Sequence, residues 1–75
     1  MEEMKPKMKK GETIGSKIKV WRNKKKLTQD SLAKKANIPY TTLAKIESDV
    51  IRNPSLQTIM KIAEGLEITV DKLIK

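Results

Sequence analysis

Residues 29–48 read QDSLAKKANIPYTTLAKIES, and the spacing in this stretch decides the architecture. Leu32, Ala33 and Ala36 form an apolar stripe at helical spacing, which predicts a helix over about 29–35, with Thr28 placed to cap its N-terminus. Asn37-Ile38-Pro39 then interrupts the pattern. Asn tolerates the left-handed conformation that ends a helix, and Pro suits the first turn of a new one. A second helix over about 40–48 turns Leu43 and Ile46 inward. Ala33 is small where the two helices must approach, and Leu32, Ala36, Ile38, Leu43 and Ile46 supply the apolar contacts. The stretch reads as two short helices crossing steeply through a tight turn.

Working outward, Thr13 caps a helix over about 14–25 whose Ile14, Ile18 and Trp21 share one face. Residues 49–54 read as a loop. Ser55 caps a helix over about 56–65 with Leu56, Ile59, Met60, Ile62 and Ala63 expected inside. Thr69 caps a short helix over 70–74, and Leu66, Ile68, Val70 and Leu73 close the core. No alternating strand pattern occurs, so the expected class is all-α, one domain over 13–75. Residues 1–12, MEEMKPKMKKGE, lack helical spacing and read as a flexible basic arm.

The inventory removes whole classes of chemistry. The chain of 75 residues has no Cys, hence no disulfide or thiolate metal site, and no His, the commonest general base and metal ligand. It has no Gly-rich phosphate loop and no isolated pair of carboxylates set in apolar sequence. Ser and Thr fall at helix caps, where helix chemistry explains them. The expectation is a protein that is not an enzyme and has no cofactor or metal. Residues 1–11 are charged and lack the apolar run of a signal peptide, and no stretch approaches the roughly 20 apolar residues of a membrane span. A soluble, cytoplasmic protein is expected.

The formal net charge is +8. It is unevenly spread: after residue 53, Lys61, Lys72 and Lys75 are balanced by Glu64, Glu67 and Asp71, so the whole excess lies in residues 1–53. A basic part beside a neutral part points to one face for a polyanion, although a basic surface also serves solubility alone. Lys24-Lys25-Lys26 reads as a solvated run that complements a helix C-terminus. Lys5, Lys7, Lys9 and Lys10 could follow a nucleic-acid backbone, but an inert tail is the preferred reading.

Four sequence words, IGSKIKVWR (14–22), LTQDSLAKKANI (27–38), TTLAKIE (41–47) and NPSLQTIMKIAEGLEITVDKLI (53–74), in this order and spacing, closely resemble the Cro/C1-type (XRE) helix-turn-helix family of phage repressors and bacterial regulators. The resemblance covers about 13–75 and implies a five-helix lambda-repressor-like domain whose third helix enters the major groove of double-stranded DNA. It implies a phosphate contact for Gln29, against the plain reading of a polar first-turn residue. Pro39, Tyr40, Thr41, Ala44 and Lys45 are implied to face bases or sugar-phosphate. Among these, Lys45 suits guanine, Thr41 and Ala44 a thymine methyl, and Tyr40 a phosphate rather than a base edge. Thr42, Ser48, Arg52 and Asn53 are the expected phosphate donors. For Pro39, Tyr40, Thr41, Ala44 and Lys45 taken singly, simple exposure is the competing reading. Arg22 and Glu47 are expected to form a structural, partly buried salt bridge that fixes the reading helix.

The sequence also departs from the family. Relatives often carry Gly where this chain has Lys26, Asn37, Asp49 and Glu67. Asn and Asp accept the left-handed region readily, whereas Lys and Glu do so at a cost of about 1 kcal/mol or more, so these turns are either strained or differently routed. The loop after the third helix is about one residue longer than usual; Val50 and Ile51 are expected to pack onto the core, the alternative being a subunit interface. The functional expectation is sequence-specific DNA binding by a small transcriptional regulator, a repressor acting as a homodimer on a palindromic operator. The alternative is an antitoxin or bridging adaptor that mainly binds a protein partner.

Overall fold

The structure is a computed structural model and describes residues 13–74; the arm assigned to residues 1–12 lies outside the described residues. Within them the chain forms five helices and no strand: α1 (Ile14–Lys24), α2 (Gln29–Ala36), α3 (Tyr40–Glu47), α4 (Leu56–Leu66) and α5 (Val70–Ile74). None is long and apolar enough to cross a membrane.

The starts of the helices follow from the side chains before them. Thr13 accepts from the Ser16 backbone N–H while Ser16 Oγ accepts from the Thr13 N–H, both at 3.1 Å, a reciprocal capping box. Thr28 accepts from the Ser31 N–H at 3.0 Å, and Ser55 from the Thr58 N–H at 3.2 Å. Pro39 precedes α3 without a side-chain cap, its φ of −63° already suited to helix entry.

The ends share one device. Lys26, Asn37, Asp49 and Glu67 follow α1, α2, α3 and α4 with φ of 59°, 60°, 69° and 61°. The next N–H reaches back to a carbonyl five residues earlier: Leu27 to Arg22, Ile38 to Ala33, Val50 to Lys45, Ile68 to Ala63. This is the hydrogen bond of a Schellman end, which normally brings an apolar residue onto the helix it terminates. Leu27, Ile38 and Ile68 do pack against the core. The turns therefore keep the left-handed path without glycine. Because the left-handed residue sets each stop, α1 ends at Lys24 and α3 at Glu47, one residue before their expected ends, while α2 and α4 run on one residue to Ala36 and Leu66.

Val50 breaks the pattern. It is 70% exposed, and Ile51 packs against the core in its place. Both Ile51 and Val50 donate to the Lys45 carbonyl, and the longer loop moves the apolar anchor one position along. Of the two residues expected inside, only Ile51 is there.

Ile18, Leu32, Leu43, Ile46, Ile62, Leu66 and Leu73 are fully buried at the centre. Two close approaches set the angles around them. Gly65 sits so near α2 that a Cβ would lie 2.9 Å from the Ala36 nitrogen, and a Cβ on Gly15 would run into the Ile46 carbonyl oxygen of α3. On α4, Leu56 and Met60 are 65% and 52% exposed, against expectation. The buried face is Ile62, Ala63 and Leu66, flanked by Ile59; Met60 stands about 100° around the helix from Ile59, and Leu56, the first helical residue, has no turn above it to cover it. At the far side, half-buried Trp21 on α1 lies beneath Lys24 Nζ at 4.8 Å and Lys72 Nζ of α5 at 5.7 Å from the ring centre.

A left-handed Lys or Glu costs about 1–2 kcal/mol, against roughly 0.5–1 kcal/mol for the greater unfolded freedom of Gly. Lys26→Gly and Glu67→Gly should therefore each stabilise the domain by about 0.5–1 kcal/mol, raising its melting temperature by a few degrees. The exposed Lys35–Glu67 pair at 3.8 Å offsets little of this. Asp49→Gly should give no gain, because it removes the acceptor of the 2.7 Å hydrogen bond from Thr13 Oγ1. Thermal denaturation checks all three, and a lower melting point for Glu67→Gly would contradict the strain at that turn.

Candidate nucleic-acid interface

Alternate faces of α3 carry opposite duties. Leu43 and Ile46 are fully buried and Glu47 is 3% exposed, while Tyr40, Thr41, Lys45 and Ser48 stand exposed and Thr42 and Ala44 are half-buried. Pro39 is exposed at the entrance of the helix. Arg52 and Asn53, in the loop after it, are exposed and line a shallow groove with Thr13, Ile14, Pro54 and Ile59. Among the described residues Lys45 and Arg52 enter no ion pair, so both cations are available to an anionic ligand.

The inner edge of the helix is held by charge. Arg22 Nε lies 2.8 Å from Glu47 Oε2 and Nη2 lies 3.2 Å from Oε1, a two-pronged pair linking α1 to α3. Arg22 Nη1 also donates to the Leu27 carbonyl at 2.8 Å, tying in the turn before α2. Gln29 Nε2 donates to Glu47 Oε1 at 3.0 Å, and Tyr40 Oη donates to Gln29 Oε1 at 3.3 Å. One connected set of bonds thus runs from α1 through the end of α3 and the start of α2 to the start of α3.

This arrangement bears on two of the expected contacts. Gln29 is only partly exposed and already spends one amide hydrogen on Glu47, leaving the second for a phosphate. The Ser48 hydroxyl donates to the Lys45 carbonyl at 3.3 Å, so donating to a phosphate requires it to turn from that bond. Two links escape a reading of the sequence. The Gln29–Tyr40 bond joins residues eleven apart in sequence and exists only at the angle the turn imposes, and Thr13–Asp49 joins α1 to the loop end of α3. The polar character of all four side chains was the only signal available. Among the described residues no three His, Cys, Asp or Glu gather as a metal site would require.

The pair is unequally shielded, with side-chain exposures of 15% for Arg22 and 1% for Glu47. Removing one partner of a buried pair costs about 3–5 kcal/mol, mostly from stranding the other charge. Arg22→Ala strands the carboxylate and should fall at the upper end in urea unfolding. Glu47→Ala leaves a guanidinium that can rehydrate and should fall at or below the lower end. The reverse order would show that the shielding is misassigned.

The helix-turn-helix family model matches residues 18–73. The immunity repressor of Bacillus phage phi105 is 45% identical over 62 residues, 83% of this chain and 42% of the phage protein. SinR of Bacillus subtilis, an HTH-type transcriptional regulator, is 34% identical over 61 residues, 81% of this chain and 55% of SinR. The solved N-terminal DNA-binding domain of SinR matches with a TM-score of 0.79, at 34% identity, over 83% of this chain and 90% of that one. SinR solved in complex with DNA matches at 0.81, at 33% identity, over 84% of this chain and the whole of the other. The chain spans about half the length of these curated relatives. Five helices, α2 and α3 joined through a left-handed Asn37, and a family match over most of the chain agree: this chain belongs to the Cro/C1-type (XRE) helix-turn-helix family, a family of DNA-binding regulators and not of enzymes.

Proposed function

We propose that the chain binds double-stranded DNA sequence-specifically as the reading domain of a cytoplasmic transcriptional repressor. The observation that carries this reading is the two-sidedness of α3, pinned inside by Leu43, Ile46 and Glu47 and presenting Pro39, Tyr40, Thr41 and Lys45 outward without competing ion pairs. A rigid helix with a free polar face is what major-groove readout requires. The likeness to a phage immunity repressor and to SinR, which has been solved on DNA, supports it.

In this reading Lys45 donates to guanine O6 and N7, and Thr41 and Ala44 meet thymine methyls. Gln29, Thr42, Ser48, Arg52 and Asn53 contact phosphates and fix the register. Two copies occupy half-sites about one helical turn apart on a palindromic operator, and the bound dimer blocks polymerase. No cofactor or metal takes part. The competing reading, an adaptor or antitoxin that chiefly binds a protein, draws on the exposed Leu56 and Met60 of α4.

Selection from a random double-stranded library separates the two. A two-fold symmetric enriched site supports the repressor; retention without enrichment, lost evenly as salt rises, turns the reading toward the adaptor. On the selected operator, Arg52→Ala should reduce the slope of log K against log salt by about 0.9 with base preferences unchanged. Lys45→Ala should instead relax the preference at one base pair. An unchanged salt slope in Arg52→Ala would remove that residue from the phosphate contacts.

A further inference from the structure

Tyr40 stands at the first position of α3, 49% exposed, where its hydroxyl meets the Gln29 side chain. The direction of its proton is set from the buried side. A carboxylate only accepts hydrogen bonds, so the Gln29 group facing Glu47 Oε1 at 3.0 Å is its amide nitrogen. The other end of the Gln29 amide, Oε1, then faces Tyr40 Oη at 3.3 Å. A carbonyl oxygen cannot donate, so the phenol does. Its single proton is committed inward, and only oxygen lone pairs remain on the outer side.

We propose that Tyr40 reads a base edge as a hydrogen-bond acceptor and selects an exocyclic amine, N6 of adenine or N4 of cytosine, at one position of each half-site. This inference rests on α3 being the groove-reading helix. Phosphate oxygens accept only, so donating to one would cost Tyr40 its bond to Gln29, whereas an amine adds a bond and leaves that one in place; the amine is therefore favoured over the phosphate contact expected from the sequence. Guanine O6 and N7 and thymine O4 are acceptors too and are disfavoured for the same reason. The Arg22–Glu47 pair thus acts beyond holding the helix: by orienting the Gln29 amide it fixes which hydrogen-bonding sense Tyr40 shows to DNA.

The test begins with library selections on the wild-type protein and on Tyr40→Phe, which keeps the ring and removes the oxygen. At an exposed position this variant should melt with the wild type, and melting curves verify that. One position per half-site should lose preference by about fivefold, the scale of one net hydrogen bond, with the rest of the site unchanged. At that position the amine is then deleted from the operator, with purine in place of adenine or 2-pyrimidinone in place of cytosine. The wild type should lose about fivefold in affinity beyond any loss shown by Tyr40→Phe, which cancels the effect of altered pairing. Equal losses in the two proteins, or identical selected sites, overturn the proposal while leaving α3 as the reader. A wild type that enriches no sequence overturns both.

Discussion

The Glu47 carboxylate is where three helices meet. It belongs to α3, takes two hydrogen bonds from Arg22 of α1 and one from Gln29 of α2, and is almost wholly removed from water. A charge in that position is tolerable only when its lone pairs are occupied, because desolvation of an ion in a protein interior amounts to several kcal/mol. The constraint works in both directions. The carboxylate needs its partners, and each partner is held at the orientation that satisfies it. Hydrophobic packing of Leu43 and Ile46 could hold α3 against the core with some latitude in rotation; the directional bonds to Glu47 remove it.

Around this pivot the domain is kept small by repetition of one turn. Four helices end in a left-handed residue and the same five-residue backward bond, which redirects the chain within a few residues. Close contacts at Gly15 and Gly65 let α1 approach α3 and α4 approach α2 at backbone distance. Glycine is thus used between helices, where space is the issue, and is absent from the turns, where conformation is. Lys26 and Glu67 carry strain there; Asp49 offsets its own by accepting from Thr13.

Much of this was legible in the residues themselves. Thr13, Thr28 and Ser55 mark helix starts because a cap is a local event, settled within four residues. Leu32, Leu43, Ile46 and Ile62 declare their burial by period. Leu56 and Met60 did not declare their exposure, since an apolar residue at the margin of a stripe reads the same whether or not a neighbour covers it. Val50 and Ile51 posed the same difficulty, and only the register of the backward bond decides between them. At the interface, the residue types that suit DNA were readable from the family resemblance. The sense in which Gln29 and Tyr40 bond was not, because it follows from an angle between two helices.

Trp21 is the single indole of the chain, and it sits at the seam between the first helix and the last with a cation from each above its ring. Its emission therefore reports the undocking of one five-residue segment, since Lys72 and the cover of α5 leave together. Helix content, by contrast, would scarcely register so small a loss. The chain carries an optical label at its shortest helix, and a fluorescence change that precedes the loss of circular dichroism would time the departure of α5 without any dye being attached.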